Sequence, residues 1–228
     1  MNLAKPRIDI GLSTNQLEPM LAFWRDEAGV PFDHLLRIRH GQDQHRHDAL
    51  GSVVKVNHHV DPLPDNPPSG YRELIIARPG LAETLRLTGP DGVRVSLVAP
   101  GAGGVGQIAV RLVVRDLEAH RRFYAEALGL DEHSAPTGAA FRAGESLILL
   151  EQSTDAAADA QMAGKGWRYI TFQVFKVDDE HARVLARGGR EAVAPVTLGT
   201  TARISMVRDP DGNWIELSQR ASIVGSLT

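Results

Sequence analysis

The sequence predicts an α+β fold of paired βαβββ units, forming curved mixed sheets with open cups, in which the second unit of the first half is truncated. Three internal echoes predict it. LEPMLAFWRDEAGVPF, from Leu17 to Phe32, is echoed by LEAHRRFYAEALGL, from Leu117 to Leu130. GYRELIIA (Gly70 to Ala77) is echoed by GWRYITFQ (Gly166 to Gln173). RDPDGNWIELS (Arg208 to Ser218) reads as strand, tight turn, strand, and TGPDGVRVSLV (Thr88 to Val98) is its fainter copy, with Ser96 in the place of Glu216. Ordered matches of this kind mark repeated structural units.

Each element follows in order. RIDIGLST alternates apolar residues at Ile8, Ile10 and Leu12, a strand pattern. Leu17 to Glu27 is predicted to be helical, with Asn15 as its cap and Gly29 as its stop. His34 to Arg39, Gln44 to Ala49 and GSVVKVNHH read as three strands. VDPLPDNPPSG is too rich in proline for a regular element. YRELIIA reads as a strand, and TLRLT and VRVSLVA as a hairpin across the Pro-Asp-Gly turn. The stretch between Ala77 and Pro90 is short, so it lacks the helix and strand that DDEHARVLARGGREAV supplies later.

PGAGGVG (Pro100 to Gly106) follows a strand without opening a helix, so it reads as a linker and not a phosphate loop. Beyond it come a strand (Gln107 to Val114), a helix (Leu117 to Ala127), a hairpin ending SLILLEQ, the strand YITFQVFKV, a helix (Asp179 to Arg187) and a last hairpin. The expected division is a paired first half over 1–99, a linker over 100–106 and a paired second half over 107–220.

Composition narrows the function classes. Hydrophobic content of 43% and charged content of 23% are ordinary for a globular chain. A net charge of −3 gives no case for nucleic acid or an anionic membrane surface. The absence of cysteine removes disulfides, thiolate zinc sites and cysteine nucleophiles. With no long apolar stretch, the expected setting is cytoplasmic. The expected partner is a small-molecule substrate, with a homodimer as a further expectation because the truncated half could recruit a second subunit.

LVVRDLEAHRRFYAEALGL (Leu112 to Leu130) and MVRDPDGNWIELSQ (Met206 to Gln219) resemble the vicinal oxygen chelate superfamily, which includes glyoxalase I, bleomycin-resistance proteins, methylmalonyl-CoA epimerase and extradiol dioxygenases. The resemblance covers nearly the whole chain. It implies a divalent metal (Mn, Fe, Ni or Zn) in a cup, held by His and Glu from the first and last strands of the units and acting as a Lewis acid. The implied ligand slots of the second half fall on Ala109, Ile148 or Leu149, Tyr169 and Glu216, where only Glu216 is a conventional ligand. Those of the first half fall on Asp9, Lys55, Glu73 and Ser96.

Strand alternation places Lys55 and Asn57 on one face and Val54 and Val56 on the other, and sets Asp9 opposite Ile8 and Ile10. His45 and His47 share one face and Arg46 takes the other; either set could line the cup. Buried ionisable groups are costly unless paired or functional. The expected catalytic set is therefore Asp9, Lys55 and Glu73, in one cup of the first half. Asn57, His47, His58, Tyr169 and Arg111 are the expected ligand-binding residues, and Glu216 and His45 the expected ligands of an atypical metal. Plainer roles compete: a solvated hairpin face for the histidines, an edge device against aggregation for Lys55, an ion pair with Arg203 or Arg111 for Glu216, and packing for Tyr169, Trp167 and Trp214.

Two functions follow. One is a lyase, isomerase or ring-cleaving dioxygenase acting on a small oxygen-rich or aromatic molecule, through a lysine–carboxylate set or a metal. The other is a non-catalytic small-molecule binder of the bleomycin-resistance type. An aromatic content of 5% speaks against an aromatic-lined binding cup and favours the enzyme.

Overall fold

The computed structural model describes residues 1–135 and 138–227. The first unit comprises β1 (Asp9–Thr14), α1 (Leu17–Ala22), β2 (Phe32–Arg39), β3 (Gln42–Ala49) and β4 (Ser52–His59). The second comprises β5 (Tyr71–Ala77), β6 (Leu85–Thr88) and β7 (Arg94–Val98), with no α-helix, as the short Ala77-to-Pro90 stretch predicts. The third comprises β8 (Ile108–Val114), α2 (Leu117–Arg122), β9 (Asp131–His133), β10 (Ala139–Ala143) and β11 (Ser146–Gln152). The fourth comprises β12 (Gly166–Gln173), α3 (Val177–Ala186), β13 (Arg190–Leu198), β14 (Ala202–Arg208) and β15 (Trp214–Arg220), followed by a short α4 (Ala221–Val224).

The first two helices differ from expectation in their ends. Each finishes in a wider π turn, Phe23–Glu27 and Phe123–Ala127. The Ala28 and Leu128 N–H groups there donate to the carbonyls of Phe23 and Phe123, five residues back. Gly29 does stop the first helix, with φ of 58°. Asn15 is not its cap. The Thr14 hydroxyl accepts the Gln16 N–H, while the Asn15 amide donates to the His59 and Asp61 carbonyls and accepts the Leu63 N–H. Asn15 thus fastens the proline-rich loop.

The units pair across the halves and not within them. One sheet has the order β13-β14-β15-β12-β1-β4-β3-β2, joining units one and four. The other has the order β6-β7-β5-β8-β11-β10-β9, joining units two and three. The seams are antiparallel: Asp9 faces Thr171 between β1 and β12, and Glu73 faces Arg111 between β5 and β8. Within each half the Pro-Asp-Gly turns help to join the units. Asp91 accepts from the Thr14 hydroxyl (2.5 Å) and the Gln16 amide (2.8 Å), and Asp211 accepts the Arg115 N–H (2.7 Å). Each turn therefore braces the strand-to-helix loop of the preceding unit.

One continuous core fills the space beneath the helices, with Ile10, Trp24, Leu74, Val110, Phe141 and Phe172 at its centre. Burying each such side chain contributes about 1.5–3 kcal/mol. β5 is buried on both faces: Leu74 and Ile76 join this core, while Ile75 and Ala77 join a smaller cluster with Val98, Val105, Ala109 and Leu147. That smaller cluster is the floor of the second cup. Among the described residues, no helix is long and apolar enough to cross a membrane.

Candidate active site

The first cup is a buried polar layer on one face of the sheet joining units one and four. Register fixes what faces it, because directly opposed residues project to the same side. Glu216 of β15 stands beside Thr171 of β12, Thr171 beside Asp9 of β1, Gly11 beside Lys55 of β4, and Lys55 beside Arg46 of β3. The Lys55 ammonium donates to Thr171 Oγ1 at 2.7 Å and to Glu216 Oε1 at 3.2 Å. Asp9 is fully engaged: Oδ1 accepts from Lys5 Nζ (2.6 Å) and the Val53 N–H (2.8 Å), and Oδ2 accepts from Gln173 Nε2 (3.0 Å).

Gly11 shapes the centre of the cup. A Cβ there would fall inside the Tyr169 ring, so only glycine lets that ring lie across β1. The ring sits 5.3 Å from the Lys55 ammonium, and its hydroxyl oxygen accepts from the Asn57 amide at 3.2 Å. Asn57 in turn accepts from Gln44, and Gln44 accepts from Arg46 Nη1, each at 2.9 Å. Lys55 is 3% exposed and Glu216 9%.

Burial depresses the Lys55 pKa, against the opposing pull of Glu216 and Asp9. The Asp9 carboxyl is also held low: burial opposes this, but the Lys5 and Lys55 charges and the bonds from Lys5 and Gln173 outweigh it. Burial, reinforced by the Glu216 charge, pushes the Tyr169 hydroxyl up, so it stays protonated.

The structure brings together Asp9, Lys55, Asn57 and Tyr169 of the expected set, and adds Glu216 to them. Glu73 and Arg111 are a correction. They sit on the other sheet, where the Arg111 Nε donates to Glu73 Oε2 at 2.8 Å and Nη1 to Glu151 Oε2 at 3.2 Å. The cause is the pairing of unit two with unit three. His45, His47 and His58 are also corrected, since they point away from this cup. His47 packs against Trp24 and Phe32 and bonds the Val30 carbonyl, His45 lies near Phe32, and His58 borders a shallow depression with Arg39 and Asp43. Arg46 takes the cup face instead.

Glu216 pairs with neither Arg203, which is bound to Asp178, nor Arg111. Trp167 packs on Trp24, and Trp214 carries the Arg208 guanidinium 5.2 Å over its ring. Sequence reasoning passed over Thr171, Gln173 and Arg220. Their signal was alternation: Thr171 and Gln173 share a face with Tyr169, and Arg220 shares one with Glu216.

The slots at which the resemblance implies a metal do not fit one. The two carboxylates of the cup, Asp9 and Glu216, are taken by lysines, and the Lys55 ammonium stands between Thr171 and Glu216. A cation cannot join that set without displacing another. His45, the other expected ligand, faces the opposite side of the sheet. Among the described residues, no three His, Asp or Glu side chains are grouped to hold a metal.

The second cup is more open and less polar. A cavity of about 580 Å³ lies over Ile75, Val98, Val105, Leu147 and Leu149, with Glu73 and Arg111 on its wall. Of the slot residues of this cup, Glu73, Ser96, Ala109 and Leu149, Glu73 is the one conventional ligand, and its carboxylate is taken by the Arg111 guanidinium and the Ser96 hydroxyl.

Three βαβββ units and one truncated unit, paired into two sheets, define an architecture of the vicinal oxygen chelate kind. A family model described as the Glyoxalase/Bleomycin resistance protein/Dioxygenase superfamily matches residues 104–217, half of the chain. The chain belongs to that superfamily. Among solved structures, a variant of glyoxalase I from Zea mays superposes with a TM-score of 0.75 at 14% identity, covering 96% of this chain and 95% of that one. Glyoxalase I from Zea mays without that change gives 0.71 at 15% identity, with the same coverage of 96% and 95%. A candidate dioxygenase from Bacillus subtilis gives 0.68 at 10% identity, covering 96% and 85%. At these identities the likeness is one of fold. A search of curated proteins returned no match.

Proposed function

We propose that the chain is an enzyme of the lyase or isomerase type, acting by proton transfer on a small oxygen-bearing molecule in the first cup. The observation that carries this reading is the buried Lys55–Glu216 pair, both members at strand positions where the family resemblance implies metal ligands, with Thr171 bonded to the lysine. A buried ion pair is a poor device for stability, so its presence in a buried polar cluster supports a chemical role.

The chemistry follows from the groups. A substrate carbonyl oxygen beside the Lys55 ammonium is polarised by it. Glu216, at the more open side of the pair, takes a proton from the adjacent carbon, and the electron pair moves to the oxygen, where Lys55 stabilises the enolate. Return of the proton to a different carbon or face completes an isomerisation. Loss of a substituent from the next carbon completes a lyase step. Asp9 sustains the charge on the lysine, and Tyr169, whose oxygen already accepts a bond, has its own proton free to donate to the substrate.

The test is solvent deuterium exchange. A panel of small 2-oxo and 2-hydroxy carbonyl compounds is incubated with the protein in D2O and followed by NMR. Wild type is expected to exchange the proton next to the carbonyl in at least one compound, and Glu216→Gln to lose about a hundredfold or more of that rate. Exchange that persists in Glu216→Gln overturns the assignment. Chelator treatment is expected to leave the rate unchanged.

A second reading is favoured by the cavity of the second cup. Its apolar floor and charged wall suit non-covalent binding of a small amphipathic molecule. Thermal-shift screening of a Leu149→Arg variant against wild type tests it, with ligand-induced shifts expected only in wild type.

A further inference from the structure

The geometry points to a carboxylate-bearing amphipathic molecule as the ligand of the second cup, its apolar body on Ile75, Leu147 and Leu149 and its carboxylate on Arg142. This rests on the reading of that cup as a binding cavity and names the chemistry of what it takes. The cavity, about 580 Å³, is of the size that holds small ligands. Ala102, Gly103 and Gly104 of the linker between the halves close one side of it without a bulky side chain.

Strand register shows how the cavity is built. One row crosses the sheet through Arg86 of β6, Ser96 of β7, Ile75 of β5, Ala109 of β8, Leu147 of β11 and Arg142 of β10. Opposed residues project to one side, so this row is a largely apolar floor with a guanidinium at each end. Both of these arginines line the cavity. The neighbouring row runs through Glu73, Arg111, Leu149, Ala140 and His133.

The charges of the cavity do not cancel. Arg86, Arg111 and Arg142 line it against Glu73 and Glu151. Arg111 engages both carboxylates, through Nε at 2.8 Å and Nη1 at 3.2 Å. Arg86 and Arg142 form no ion pair among the described residues, although Asp131 stands opposite Arg142 on β9. Positive charge left over above an apolar floor favours an anion with an apolar body. Arg142 is the better seat for its head. His133 Nε2 accepts from Arg142 Nε at 3.2 Å. That bond holds the guanidinium in place and leaves both Nη groups open, paired donors that match two carboxylate oxygens. A group already held loses less freedom on binding. Arg86 has no such tether among the described residues and acts from the opposite rim as a second positive charge.

Calorimetric titration at fixed ionic strength tests this with two matched pairs, octanoate with octanamide and 2-naphthoate with 2-naphthamide. The proteins are wild type, Arg142→Gln, Arg142→Lys, Arg86→Gln and Arg37→Gln. All four substitutions fall on exposed side chains, so the fold is expected to survive them. Wild type is expected to bind at least one acid about tenfold or more tightly than its amide. Arg142→Gln is expected to lose that preference and Arg142→Lys to keep part of it. Arg86→Gln is expected to weaken acid binding about two- to threefold, since it acts through screened charge alone. Arg37→Gln, on the other sheet, is expected to match wild type.

Acid and amide binding alike overturns the inference and leaves the cavity as a site for neutral molecules. A preference for the acid that survives Arg142→Gln also overturns it, as does a larger loss in Arg86→Gln or in Arg37→Gln than in Arg142→Gln. Binding of neither member of either pair up to about 5 mM overturns the inference together with the reading of this cup as a binding cavity. None of these readouts requires turnover, so they are independent of the deuterium-exchange result.

Discussion

Gly11 shows how one residue without a side chain sets the chemistry around it. Because the Tyr169 ring occupies the space of a Cβ, Gly11→Ala forces the ring off β1 and breaks its contact with Asn57. The expected cost is about 1–3 kcal/mol, read as a lower urea midpoint together with loss of activity. The ion pair behaves differently. Lys55→Met leaves Glu216 without its cation and is expected to cost about 3–5 kcal/mol, whereas Lys55→Met with Glu216→Leu is expected to recover most of that. A double-mutant cycle by urea unfolding checks this, and additive losses contradict a coupled pair.

At this scale much of the site was legible. Alternation alone set Asp9, Lys55 and Asn57 apart from the valines and isoleucines beside them. The partner of Lys55 was not legible, because Glu216 lies 161 residues away and reaches it only through the seam between β1 and β12. No local pattern encodes a seam. The choice between Arg46 and the two histidines was decided by packing, since His47 satisfies the Trp24 side of β3.

Among the elements, the two Pro-Asp-Gly turns do more than reverse the chain. In the second, the buried Asp209 accepts from the Asp211 and Asn213 N–H groups and the Asn213 amide, and lies 3.4 Å from His120 of α2. Asn213 then accepts the Gly70 N–H at the edge of β5. In the first, the side-chain partners of Asp91 among the described residues are Thr14 and Gln16. Asp209→Ala is therefore expected to cost at least about 3 kcal/mol and Asp91→Ala about half as much, measured by chemical denaturation. Equal costs would mean that the network around His120 adds nothing. Both turns were readable as hairpins from the sequence. Their bracing role was not, because it depends on which loop the turn meets.

For the whole molecule, pH dependence joins the scales. Tyr71, Tyr124 and Tyr169 all have hydroxyls pushed up, chiefly by burial. A raised folded pKa gives a contribution to stability that is present below the unfolded value of 10.0 and lost as pH rises above it. Lys55 runs the other way: its folded pKa is depressed, so its contribution recovers as pH rises toward the unfolded 10.5. Three groups oppose one, so stability is expected to fall above about pH 10. Urea midpoints measured across that range should show the fall becoming steeper in Lys55→Met and shallower in Tyr169→Phe.

The same scale decides how the chain can be divided. A boundary over 100–106 separates two repeats in sequence, yet neither repeat owns a sheet. Cutting there exposes β1 and β5 in one piece and β8 and β12 in the other, each a central strand that has lost its neighbour. Long unpaired edges of this kind seek another strand. Residues 107–220 expressed alone are therefore expected to dimerise or aggregate, and residues 1–99 to behave alike. Mixed, the halves are expected to form a one-to-one complex that restores both seams and, with them, the contact of Lys55 with Glu216. Sedimentation of each fragment and of the mixture checks this. A stable monomer of either half would mean that the Pro-Asp-Gly brace, and not the seam, holds the fold together.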